Sequence, residues 1–82
     1  MKMGAGAGGM ATFSDPKLKT NIKQVGTING FDWFTWDWND VAAKLGLTGS
    51  SEGVMADKVK KTNPELIDEH SGYMTVNYGG VL

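Results

Sequence analysis

What the chain lacks narrows its chemistry first. There is no cysteine, so neither a thiolate metal site nor a disulfide staple is available. His70 is the single histidine, which rules out a histidine-rich zinc cluster and makes any His-based triad depend on one residue. The sequence therefore gives no reason to expect a metal or a cofactor. What remains is hydroxyl and amine chemistry. The segment SDPKLKTNI, Ser14 to Ile22, sets Ser14 and Lys19 five residues apart. Alone, such a pair is commonplace, and Ser14-Asp15-Pro16 is equally an ordinary start to a helix or turn, with Ser14 or Asp15 as cap and Pro16 in a first helical position.

Charge and length restrict partners. Eight lysines and no arginine stand against nine acidic residues, for a net charge of −1. No basic stripe exists to neutralise phosphates, so nucleic acid is not an expected partner. No apolar run approaches the roughly 18 residues of a membrane span, so no membrane partner is expected either. Lys2 is followed by glycine and alanine rather than a Leu/Ile/Val-rich region, so a secretory signal is not expected and synthesis in a cytoplasm fits. At 82 residues the chain has room for one small domain with a modest core, and self-association is a common remedy at that size.

The elements follow from local signals. Residues 1–13, MKMGAGAGGMATF, read as a Gly/Ala-rich N-terminal arm in which neither helix nor strand should be stable. Gly4, Gly6, Gly8 and Gly9 suit close backbone approach to another surface, so they are the candidate docking residues. A short helical turn through Leu18 is expected next. From Asn21 to Ile28 the three-residue steps between Ile22, Val25 and Ile28 leave strand and helical turn both open. FDWFTWDW, Phe31 to Trp38, reads as a strand with large rings on both faces: Phe34, Trp36 and Trp38 on one, Phe31, Trp33 and Thr35 on the other. It admits an aromatic core strand, a carbohydrate-stacking surface or a subunit interface. Phe31, Trp33, Phe34, Trp36 and Trp38, with Tyr73 and Tyr78, are the candidate interface residues. A short helix capped by Asn39 or Asp40 and ended by Gly46, a loop from Leu47 to Gly53, and a helix within Gly53 to Asn63 stopped by Pro64 follow. Glu65 to Ile67 reads as an extended stub, His70 to Gly72 as a turn and Tyr73 to Tyr78 as an alternating strand. The pattern predicts a small α+β domain over 14–82 with short strands and one or two short helices, oligomeric, behind the arm.

Three segments together carry a family resemblance: SDPKLKTNI, GVMADKVKKTNPELI from Gly53 to Ile67, and GYMTVNY from Gly72 to Tyr78. In order and spacing they resemble the intramolecular chaperone auto-processing domain found at the C-termini of phage tail fibres and tailspikes. In the second segment, Asp57-Lys58 stands where that family has Gln-Glu. The resemblance implies a domain that assists trimeric assembly of a fibrous partner and then cuts the bond before its motif serine. Carried over, Ser14 is the nucleophile, Lys19 its base and Phe13–Ser14 the bond cut. A neutral hydroxyl is a poor nucleophile, and a lysine activates it only when burial or nearby cations, here Lys17 and Lys23, lower the amine's proton affinity. Asn21 and backbone N–H groups near Asp15 are the candidate oxyanion donors.

Only thirteen residues precede Ser14 in this sequence, too few for a fibrous client. The expectation drawn from that is a small virion structural protein, tail- or fibre-associated, using the domain as an oligomeric docking module. Its partners would be other phage tail, portal or fibre proteins and copies of itself in a trimer or ring. The alternative is a self-cleaving Ser/Lys auto-protease and chaperone for trimeric fibre assembly.

Overall fold

In the computed structural model, which describes residues 11–82, two tight turns set the sheet pairings. Each has two successive residues at positive φ: Asn29 (53°) with Gly30 (83°), and Ser71 (55°) with Gly72 (84°). This is the backbone requirement of a two-residue hairpin turn whose twist matches its strands. The Asn29-Gly30 turn joins β2 (Lys19–Ile28) to β3 (Phe31–Trp38), and the Ser71-Gly72 turn joins β5 (Ile67–His70) to β6 (Tyr73–Asn77). Each hairpin gains one antiparallel strand: β4 (Ser50–Gly53) on β3, and β1 (Ala11–Phe13) on β6. Among the described residues the result is two three-stranded sheets, ordered β2-β3-β4 and β1-β6-β5. Two short helices, α1 (Asp40–Ala43) and α2 (Ala56–Thr62), and three 3-10 turns complete a small α+β domain. Among the described residues no helix is long and apolar enough to cross a membrane.

Local capping fixes the start. Asp15 caps the turn Pro16–Leu18 by accepting from Lys17 N at 2.9 Å, and its other oxygen accepts from Met74 N at 3.1 Å. One buried carboxylate thus starts a turn and ties it to β6. Asn39 caps α1 through Ala42 N at 3.0 Å and donates to Lys17 O at 2.9 Å, so α1 is tied to the same turn.

Three expectations need correction. Ala11–Phe13, read as arm, is a strand paired with Asn77, Val76 and Thr75; these three residues contain no glycine, and Thr12 and Phe13 favour extended backbone. Gly4, Gly6, Gly8 and Gly9 lie outside the described residues. Ser50–Gly53, read as loop, is a strand because β3 offers a full edge of backbone partners, from Phe34 opposite Gly53 to Asp37 opposite Ser50. Glu65 and Leu66, read as extended, belong to the 3-10 turn Pro64–Leu66, with the strand beginning at Ile67. The open reading of Asn21 to Ile28 resolves to strand. Its register shifts between Thr20 and Lys23 and again between Gln24 and Gly26, so Ile22 and Val25 fall inside the irregularities. That is why a helix-like spacing occurs within a strand.

The two faces of β3 enter two clusters. Trp33 joins Val54, Ala56, Val59, Val76 and Val81, with Phe31 and Tyr78 packed against them. Phe34 and Trp36 join Met55, with Trp38 alongside. Burying each such side chain contributes about 1.5–3 kcal/mol, so a β3 covered on both sides dominates the core. Trp33, Phe34 and Trp36, named above as candidate interface residues, lie in the chain's own interior. The second layer needed to cover them comes from α2, β6 and the 54–55 segment.

Candidate functional site

Ser14 follows β1 directly and is fully buried. Its N–H donates to Met74 O at 3.1 Å, and its carbonyl accepts from Ala56 N at 3.0 Å. It is therefore held between β6 and the first residue of α2. Lys19 opens β2 on the far side of the Pro16–Leu18 turn and is only 6% exposed. The turn folds the five-residue separation back on itself and brings amine to hydroxyl: Lys19 Nζ lies 2.9 Å from Ser14 Oγ.

Three oxygens surround that amine. As an ammonium, Lys19 donates to Ser14 Oγ and Ser14 O, each at 2.9 Å, and to Val54 O at 3.0 Å. Met55 Sδ lies at 3.6 Å, and the Trp36 ring centroid is 3.6 Å from Nζ. The Ser14 hydroxyl donates to Val54 O. Burial dominates the energetics: it lowers the Lys19 amine from 10.5 to about 7, against the opposing pull first of Asp57 and then of Asp15. At that value a neutral amine is abundant at ordinary pH, and a neutral amine beside a serine hydroxyl is a base beside a nucleophile.

The Val54 carbonyl is positioned in turn. Val54 N donates to Tyr78 Oη at 3.0 Å, and Gly53, at φ +154°, lies so close beneath Tyr78 that a Cβ there would collide with the phenol oxygen and crowd Trp36. Glycine is required at 53 by this approach. The site thus draws on the β1 end, the Pro16–Leu18 turn, β2, the β4–α2 junction, β3 and the C-terminal turn.

The other candidate residues are placed as follows. Asn21 is not at the site: its amide donates to Asp37 Oδ2 at 2.9 Å, on the exposed side. Ser50, donating at 2.6 Å, and then Asn21 hold the Asp37 carboxyl below its usual range. The Lys17 N–H near Asp15 is taken by that carboxylate. Phe31, Trp38, Tyr73 and Tyr78 are half-buried, with Trp38 edge-on to Trp36 at 5.5 Å and Tyr78 edge-on to Trp33 at 6.1 Å. His70 lies against Phe13, ring centroids 5.8 Å apart. Among the described residues no group of His, Asp and Glu side chains could hold a metal ion.

Sequence reasoning did not find Val54 O or the Trp36 face. A backbone carbonyl has no residue signature, and nothing distinguishes one indole among the three of β3. The nearest available signal was glycine at 53.

Fold and site together define a small α+β domain with a buried serine–lysine pair at the junction of two sheets. No family model, no curated protein and no solved structure matches the chain.

Proposed function

We propose that the domain is a self-cleaving serine/lysine peptidase that cuts its own Phe13–Ser14 bond, in the manner implied by its resemblance to phage fibre chaperone domains. The observation that carries this reading is the 2.9 Å contact between Lys19 Nζ and Ser14 Oγ in a water-poor site where the amine is held to about 7. With Lys19 neutral, the Ser14 hydroxyl turns its proton from Val54 O to Nζ, and Lys19 takes it as Oγ bonds to the Phe13 carbonyl carbon. The tetrahedral adduct collapses as the Phe13–Ser14 C–N bond breaks, the proton passes to Ser14 N, and an ester remains. Water then cleaves the ester, leaving a Phe13 carboxylate, a Ser14 hydroxyl and a free Ser14 amine.

Intact-mass measurement of the purified full chain tests this. A fragment beginning at Ser14 should accumulate in the unsubstituted protein and be absent from Ser14→Ala. An uncut protein across neutral and mildly alkaline pH removes the reading.

A second reading, a docking module of a virion, is favoured by a different feature. Among the described residues β2 is a sheet edge, nine of its ten residues are exposed, and Ile22 (42%), Val25 (54%) and Ile28 (39%) present apolar side chains there. Exposed edges of this kind accept a further strand. Sedimentation of the Ser14→Ala chain tests it, and a monomer at all concentrations counts against self-association.

A further inference from the structure

Trp36 combines two features that packing alone leaves unexplained. Its ring is 3% exposed, yet no described group accepts from its Nε1, the one buried side-chain polar atom without a partner among the described residues. Phenylalanine would fill most of this space without an orphaned donor, whose burial is ordinarily unfavourable. The same ring lies under Lys19, the one buried lysine among the described residues, its centroid 3.6 Å from Nζ. Indole has the most negative face among the aromatic side chains and attracts a cation most strongly where water is excluded.

We infer that Trp36 is a positioning residue for the Ser14–Lys19 pair: its indole face holds the Lys19 side chain against Ser14 and receives the charge that Lys19 gains on taking the hydroxyl proton. The inference deepens the self-cleavage reading and rests on it for its second half. Lys19 ends between a ring on one side and three oxygens on the other, from Ser14 and Val54, so its amine has a fixed direction. The charged groups facing it are Asp57 from α2 and Asp15 from the preceding turn. Both are carboxylates that favour the ammonium, as the ring face does. Burial opposes all three.

Truncating Trp36 would also let water in, which shifts Lys19 the other way, so the test must keep the shape. Tryptophan fluorinated progressively on the benzo ring, placed at position 36 alone, withdraws charge from the ring face with little change in volume. In the full-length Ser14→Ala chain, which cannot cut itself, the Lys19 amine is titrated by NMR of its ε-methylene. The expected result is a stepwise fall with each added fluorine, reaching about one pH unit in the tetrafluoro form. In the Ser14-containing chain the inflexion of the cleavage rate should move down in parallel, with the plateau falling about tenfold.

A Lys19 titration unchanged along the series overturns the inference, whether or not the chain cuts. If the titration moves but the unsubstituted chain never cuts, the indole's hold on Lys19 stands and the peptidase reading fails. If cleavage occurs with a rate profile indifferent to fluorination, Trp36 has no part in positioning the base.

Discussion

At neutral pH an amine held to about 7 is protonated roughly half of the time, so Lys19 alternates between two roles. As an ammonium it donates to three oxygens; as an amine its lone pair can accept the proton of the Ser14 hydroxyl. Only the second form accepts a proton, so self-cleavage should rise with pH through about 7 and level off above it, as followed by timed intact-mass measurement. Lys19→Met should slow the cut at least about 100-fold, the usual scale for a lost general base. Lys19→Arg should do no better despite its length and charge, because a guanidinium never gives up its proton at these pH values. An arginine variant that cuts at the normal rate would show that Lys19 only holds the serine in place.

Tight backbone approaches decide which elements tolerate change. Gly53→Ala should destabilise the domain by roughly 2–4 kcal/mol, read from the urea midpoint, since the new Cβ meets both Tyr78 Oη and Trp36 at a positive φ. Asn29→Ala should lose about 1–2 kcal/mol, because Asn29 adopts φ 53° in the hairpin turn and donates to Val81 O at 2.9 Å, tying the turn to the C-terminal residues. Val25→Lys on the exposed edge of β2 should leave stability within about 0.5 kcal/mol and weaken any self-association seen by sedimentation. How far such elements could be read from sequence depended on where their causes lie. The Pro16–Leu18 turn, β3, α2 and β6 were legible from signals in or beside each segment: a cap and proline, a run of aromatics with Thr35, a helical spacing of Met55, Ala56 and Val59 stopped by Pro64, and an alternation. β4 was not, because Ser50, Ser51 and Gly53 have no strand preference and are extended only by pairing with β3. At the site, Ser14 and Lys19 were legible through their resemblance to a motif. Val54 and Trp36 act through a carbonyl and a ring face whose partners are set by tertiary contact.

The burial that tunes Lys19 also acts on the stability of the whole domain. The amine titrates near 7 when folded and at 10.5 ordinarily, so between those values the unfolded chain binds the proton and the folded chain does not. Stability from this group therefore rises with pH across that window, by up to about 1.4 kcal/mol per pH unit, and below about 7 the full penalty of burying the charge applies. Urea unfolding of Ser14→Ala should show this slope, and Ser14→Ala combined with Lys19→Met should lose it. The grip on Ser14 itself has a bearing on time. Its hydroxyl meets a carbonyl 40 residues further along, its N–H is held by Met74, and the adjoining Asp15 spans 59 residues to the same strand. At about 5–20 residues per second of synthesis, roughly 3–12 s pass between the making of Ser14 and the making of the groups that hold it. A nascent chain carries the serine and the lysine early, but the pocket around them closes only when β6 has been made and has folded back. Any bond broken at Ser14 would then be a time stamp on completed folding, set by the ribosome and the tertiary fold rather than by an outside signal.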